Sequence, residues 1–349
     1  MQFRSDNYGP AHPEVMQAVM DANQGYDVSY GDDAPMQQVR AQIREIFEAP
    51  EAAVYLVATG TAANALALAT LARPWQSLFC TPEAHIATDE CNAPEFYSGG
   101  AKLTLVGAGD KMDAETLRAV IAPFEARGVH GAQRGPVSLT QTTELGRCYT
   151  QAEVAAIADV AHDFGQPLYM DGARLANAIA ALGCSPADLT HRAGVDALSL
   201  GGTKNGCLGV EAVVFFNPAR AWEFELRRKR GGHLFSKNRF LAAQMQAYLS
   251  DGLWLRSAAA ANANCARLAE GLRPVPGVTF LHEPDANALF VRMPRAMHRR
   301  LRAAGGHYYL WDAEEADLAR EGGPVLARMV CDWSLPVAEI DRFVALAAA

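Results

Sequence analysis

A lysine follows two glycines where an apolar run ends: Val195-Asp-Ala-Leu-Ser-Leu200 gives way to Gly201-Gly-Thr-Lys-Asn-Gly206. The run reads as a buried strand, and ligands of open α/β sheets bind beyond the carboxyl ends of strands. A neutral amine on Lys204 would attack a carbonyl there and form a Schiff base. The order Gly-Thr-Lys is not that of a phosphate loop, which has Gly-Lys-Thr. By itself Lys204 reads equally as a loop residue or an anion contact.

Other reactive side chains recur at comparable places. Gly60 and Thr61 open an alanine-rich helix, whose free N–H groups would hold a phosphate or be satisfied by a simple cap. His85 would lay its ring on a flat cofactor, or stand exposed on a loop. Asp171 ends an apolar run; it is either a turn residue or the carboxylate that keeps a cofactor's ring nitrogen protonated, as in pyridoxal phosphate enzymes. Arg174, three residues on, could pair with Asp171. Arg328 lies within Val325-Leu-Ala-Arg-Met-Val-Cys331, apolar on both alternating faces. A guanidinium buried there needs an anion such as a substrate carboxylate; on an edge strand its head would reach water.

The elements that must position these groups alternate. Strands are expected at 53–58, 77–81, 102–106, 136–140, 167–171, 195–200 and 210–216. Helices are expected at 13–22, 35–48, 61–71, 113–126, 151–164 and 174–182, from apolar residues at helical spacing. This alternation predicts an α/β fold with a mainly parallel sheet covered on both faces. The exits after 53–58, 77–81, 167–171 and 195–200 would then share one edge, which brings Gly60, His85, Asp171, Arg174 and Lys204 together. A helical stretch, 218–272, precedes strands near 277–281, 286–293 and 326–331 and helices near 294–304 and 336–347. The division expected is an N-terminal arm and short helix (1–25), a large α/β domain (26–250) and a smaller α+β C-terminal domain (251–349).

Composition excludes other classes. The chain of 349 residues is 50% hydrophobic and 20% charged, as in ordinary globular proteins. A formal net charge of −8 argues against a nucleic-acid surface. The one dense basic run, Arg227-Arg-Lys-Arg230, reads as solvated charge at a helix C-terminus. Seven cysteines form no Cys-x-x-Cys pair, which fits reduced thiols rather than a disulfide framework or a zinc site. No signal core or bilayer-length apolar run is present, so a cytoplasmic protein with no membrane partner is expected.

Six segments, in order, resemble those of the low-specificity L-threonine aldolases: Phe3-Arg-Ser-Asp6, Tyr30-Gly-Asp-Asp33, Ala58-Thr-Gly-Thr-Ala-Ala-Asn64, Ala84-His-Ile86, Met170-Asp-Gly-Ala-Arg174 and Gly201-Gly-Thr-Lys-Asn-Gly206. The resemblance implies the aspartate-aminotransferase-like fold with a seven-stranded sheet, and pyridoxal 5'-phosphate as a Schiff base on Lys204. It implies that His85 stacks on the cofactor ring, Asp171 meets its nitrogen, Arg174 its phenolic oxygen, and Gly60 and Thr61 its phosphate. Ser5, Tyr30, Arg174 and Arg328 would bind the substrate. The implied assembly is a homotetramer, a dimer of dimers with active sites at the dimer interface, where Lys237 or Arg230 would reach a neighbour's phosphate. The implied activity is cleavage of β-hydroxy-α-amino acids to glycine and an aldehyde; a β-eliminating lyase, an aminotransferase or a non-catalytic binding protein are the rivals. One departure stands out. Thr143, in Thr140-Gln-Thr-Thr-Glu-Leu145, most nearly takes the place of a histidine found in many members, which leaves His85 as the expected base for the β-hydroxyl.

Overall fold

Seven strands form the large sheet: β1 (Ala53–Val57), β2 (Gln76–Cys80), β3 (Lys102–Leu105), β4 (Gln133–Thr140), β5 (Leu168–Gly172), β6 (Ala197–Gly201) and β7 (Glu211–Phe215). These come from a computed structural model that describes residues 1–126, 128–312 and 322–349. Their order is β1-β7-β6-β5-β4-β2-β3. The central β5, β6 and β7 are buried at every position, as expected where helices cover both faces. All pairs are parallel except those of β7, which runs antiparallel to both β6 and β1. β7 reverses because only the tight Lys204 turn separates it from β6, too short for a crossover helix. β1, paired beyond β7, therefore points the same way as β6, and the strand exits do share one edge.

The helices begin where local chemistry dictates. Thr59 caps Gly60–Leu71, its hydroxyl accepting from the Ala62 amide at 3.2 Å. That helix is buried from Ala62 to Leu71, so it lacks the apolar stripe of a surface helix. Thr150 and Glu153 form a reciprocal capping box at the start of Gln151–Asp163. Two short helices, His85–Thr88 and Ala93–Ser98, lie in a segment with no detectable periodicity.

A second, antiparallel sheet has the order β10-β11-β9-β8, from β8 (Thr279–Phe280), β9 (Ala288–Met293), β10 (Tyr309–Leu310) and β11 (Val325–Val330). The helix Leu253–Leu272 serves both cores: Trp254 and Ala258 pack in the first, Cys265 and Leu268 in the second. Phe3 also enters the second core, and its backbone bonds His307 and Val330 at 2.7 and 2.8 Å. The N-terminal arm thereby lies across the exits of the large sheet.

The basic run at 227–230 departs from the solvated picture. Arg228 is buried, with its guanidinium carbon 5.1 Å from the centre of the Tyr55 ring. Arg227 bonds Glu223 and the Tyr97 carbonyl. Only Lys229 and Arg230 keep exposed heads, because the helix Ala221–Arg230 lays one face against Gly60–Leu71.

Candidate active site

Lys204 is the middle residue of the helical turn Thr203–Asn205, which closes at Gly206 with φ +112, a conformation glycine adopts without strain. Three elements immobilise this turn. Asn205 Nδ2 donates to Tyr248 Oη at 2.7 Å and to the Trp254 carbonyl at 2.8 Å. Ser257 Oγ donates to the Asn205 carbonyl at 3.0 Å, and His12 N to the Gly206 carbonyl at 2.8 Å. The His12 ring stacks on Trp333 with centroids 3.6 Å apart. Glu211, buried at the start of β7, accepts the Gly202 amide at 3.0 Å. Burial raises its carboxyl to about 7, against the pull of the Thr203 hydroxyl, the Gly202 amide and Lys204.

Lys204 faces a cleft of about 490 Å³ that also presents Ser5, His85, Arg174 and Arg328. Five predicted site residues are thus brought together. Asp171 lies buried beside the exit of β5. Its Oδ1 accepts the Ala173 amide at 3.0 Å and its Oδ2 accepts Asn64 Nδ2 at 2.8 Å. Gly60 and Thr61 are half-buried at the helix start, and nothing lies within 4 Å of where a Gly60 Cβ would be. Tyr30, Arg230 and Lys237 are not brought to this cleft. All three are exposed; Tyr30 lies under the Lys229 ammonium, and Arg230 lines a separate groove with Phe96 and Leu226.

A second set of residues holds these groups in place. Asn64 gives one Nδ2 hydrogen to Asp171 and the other to Glu90 Oε1 at 2.7 Å, while Tyr169 Oη donates to Asn64 Oδ1 at 2.8 Å. Glu90 Oε1 in turn meets His85 Nδ1 at 2.8 Å. Burial pushes the Glu90 carboxyl up although His85 and Asn64 pull it down. The Glu90 hydrogen bond raises the His85 imidazole above its ordinary value, with burial opposing and Glu144 and Asp171 assisting. One chain of bonds therefore fixes both the ring of His85 and the carboxylate of Asp171. Replacing Glu90 by glutamine is expected to lower the pKa of His85, read from its ring proton resonance; an unmoved titration would show that the pair does not control the ring.

Arg174 does not pair with Asp171. Its Nε and Nη2 donate to Asp6 at 2.7 and 3.0 Å, a buried fork supplied by the N-terminal arm. Asp6 also accepts Asn287 Nδ2 at 3.1 Å. Burial would raise the Asp6 carboxyl, but the Arg174 charge and hydrogen bonds more than reverse this and hold it at about 2. Asp6→Asn leaves a guanidinium buried without its counter-charge, a loss of about 3–5 kcal/mol on breaking such a pair, to be read by urea unfolding. A depressed carboxyl stabilises the fold above its ordinary value of 3.8. That contribution, roughly 2 kcal/mol, fades as pH falls from near 4 towards 2. A wild-type and Asp6→Asn difference that stayed constant across that window would contradict the assignment.

Arg328 is the opposite case. Its Nε is buried with no hydrogen-bond partner, and no carboxylate pairs with it among the described residues. Burial, and next the nearby Arg174 charge, lower its pKa. Trp311 offers only its ring, 5.7 Å from the guanidinium carbon. Thr143 is withdrawn from the cleft: it is buried, and its hydroxyl donates to Asp110 Oδ2 at 2.5 Å. The next residue, Glu144, lines the cleft instead.

A seven-stranded α/β sheet with one reversed strand, and a lysine turn between that strand and its neighbour, define the class. The chain belongs to the beta-eliminating lyase family, whose family model matches residues 2–296. It is 41% identical to a low specificity L-threonine aldolase of Pseudomonas aeruginosa over 97% of this chain and 94% of that one. It is 40% identical to a second, from a Pseudomonas species, over 99% and 96%. The solved threonine aldolase of Leishmania major superposes with a TM-score of 0.91 at 26% identity, covering 99% of this chain and 98% of that one. These relatives carry the family name that the six sequence segments resemble.

Proposed function

We propose that the protein is a lyase that binds pyridoxal 5'-phosphate covalently through Lys204 Nζ. It cleaves L-threonine, L-allo-threonine and other β-hydroxy-α-amino acids to glycine and an aldehyde. The observation that carries this reading is the single cleft in which Lys204 faces His85, Arg174 and an Arg328 that lacks an anion. The residues fit the cofactor. Lys204 offers the amine, His85 a ring fixed through Nδ1, and Asp171 a buried carboxylate with lone pairs to spare. Gly60 and Thr61 offer open N–H groups at a helix start suited to a phosphate. When bound, the cofactor supplies the electron sink for the bond that breaks.

The chain's own residues do the rest. Arg328 takes the substrate carboxylate as a charge-assisted pair, and Ser5 adds a hydroxyl at the same wall. Held there, the substrate would lie between Arg328 and Lys204, in the cleft that His85 also lines. Asp171, fixed by Asn64, keeps its carboxylate where a ring nitrogen would be held protonated. Arg174 already spends two donors on Asp6, so it meets the cofactor oxygen or the substrate with what remains of its fork. Product analysis tests the reading: glycine and acetaldehyde from L-threonine support it, whereas a keto acid with ammonia, or dependence on an amino acceptor, would favour elimination or transamination.

The proposal extends to assembly and place. The protein is a cytoplasmic homotetramer, a dimer of dimers, in which Tyr30 and one of Arg230 and Lys237 complete a neighbour's site. Their exposure outside their own cleft supports this reading. Light scattering would give four chains; a monomer would contradict it. The division at 1–25, 26–250 and 251–349 remains the proposed domain map, with the helix Leu253–Leu272 as the first element of the smaller unit.

A further inference from the structure

We infer that Glu144 is the catalytic residue that accepts the β-hydroxyl proton during carbon–carbon cleavage, in place of His85. The inference rests on the aldol-cleaving reading above and names the base within it.

Glu144 sits at the tip of a turn that is anchored on both sides. Thr143 N donates to the Arg147 carbonyl and Gly146 N to the Thr143 carbonyl, each at 2.8 Å. Beneath the tip, Asp110 is buried and binds three donors: Thr143 Oγ1 at 2.5 Å, Arg147 Nε at 3.0 Å and Arg147 Nη2. Gly146 has φ +79 and packs so closely on Ala288 that a Cβ would approach its methyl to 2.9 Å. The turn is therefore rigid, and with Thr143 drawn inward its next side chain is presented to the cleft.

The carboxylate so presented is unspent. Among the described residues Glu144 is half-buried and makes no hydrogen bond or ion pair, although the cleft holds Lys204, Arg174, Arg328 and His85. Its charge is felt by His85, Arg174 and Arg328 alike. A carboxylate among four basic groups that pairs with none of them is available to a ligand. His85 is less available: Glu90 engages its Nδ1 at 2.8 Å, and that hydrogen bond raises the imidazole above its ordinary value, so the ring holds its proton more tightly. The other carboxylate at the cleft, Asp89, is exposed and already accepts Thr88 Oγ1 at 3.0 Å.

In the step, the hydroxyl proton passes to a Glu144 oxygen and the O–H electron pair becomes the second bond of the aldehyde carbonyl. The Cα–Cβ bond breaks and its electron pair stays on the α-carbon, where the cofactor, joined through the amino nitrogen, would stabilise it. The α-carbon then takes a proton to complete glycine, and Glu144 returns its proton to water. No oxidant or reductant is needed.

The test exploits glycine, which has an α-hydrogen and no β-hydroxyl. Wild type and Glu144→Gln are compared for acetaldehyde release from L-threonine and for exchange of the glycine α-hydrogen in deuterated water. The absorption change on glycine binding reports the state of the site. The expected result is a loss of about 10²–10³-fold in the kcat for cleavage, with exchange and the glycine spectrum within about twofold of wild type. Glu144→Asp should recover part of the cleavage. Equal losses in cleavage and exchange, cleavage by Glu144→Gln near the wild-type rate, or a greater selective loss in Asp89→Asn would each overturn the assignment. No acetaldehyde from wild type would overturn the aldol reading and this inference with it; acetaldehyde from wild type and variant alike overturns this inference alone.

Discussion

Replacing Lys204 by alanine is expected to reduce acetaldehyde release from L-threonine by about 10³-fold or more, with the fold intact. The size of the effect follows from the several tasks of one amine. On the proposed function it would bond the cofactor, exchange it with the substrate and move protons afterwards; the proton transfers alone are worth about 10²–10⁴-fold. Stability should change little, because the turn is held by Asn205, Ser257, His12 and Glu211 through backbone and amide groups, not through the lysine side chain. The visible absorption of the lysine-bound cofactor should vanish in the variant, while near-ultraviolet circular dichroism of the protein stays as in wild type. A Lys204→Ala protein that kept its turnover would show that another group carries the chemistry.

Arg328 should give the next largest effect, and one with an unusual signature. A charge-assisted hydrogen bond to a carboxylate is worth about 1.5–3 kcal/mol, so Arg328→Met is expected to raise the KM for L-threonine by about 10–150-fold. Bidentate geometry carries part of this, so Arg328→Lys should recover it poorly. Stability should move the other way. Arg328 has an unpartnered buried Nε and faces Arg174 with no carboxylate of its own. Removing an uncompensated buried charge is neutral or favourable, so Arg328→Met should unfold at the same or higher urea concentration than wild type. A destabilised variant with unchanged KM would identify Arg328 as a structural ion. The contrast with Arg174 is instructive: that arginine has a full counter-charge in Asp6, and Asp6→Asn should destabilise.

Why Lys204, His85 and Asp171 stand out in the sequence while their supports do not has a physical explanation. Strands covered on both faces are apolar runs, so their ends are visible, and polar residues just past them stand out. The large sheet followed from that pattern, including the shared edge. The supports work differently. Asn64 sits inside an alanine- and leucine-rich helix and bonds Asp171, 107 residues away; Asp6 meets Arg174 across 168 residues. Such pairs exist only once the N-terminal arm and the sheet are folded together, and no local period encodes them. The same holds for Arg228, whose burial depends on Tyr55 far away in the chain. Glu90 carried one usable signal, a carboxylate five residues after His85 in a segment without helical or strand periodicity. Thr143 and Glu144 show the finer limit: similarity placed the right turn at the cleft, and only the turn's anchoring on Asp110 decided which of two adjacent side chains faces in.

The most direct test of the account is to reduce the purified, cofactor-loaded protein with borohydride, digest it and locate the modified lysine by mass spectrometry. The predicted result is one pyridoxyl phosphate group per chain, on the peptide that carries Lys204. Attachment at any other lysine, or no attachment to a protein saturated with the cofactor, would contradict the account.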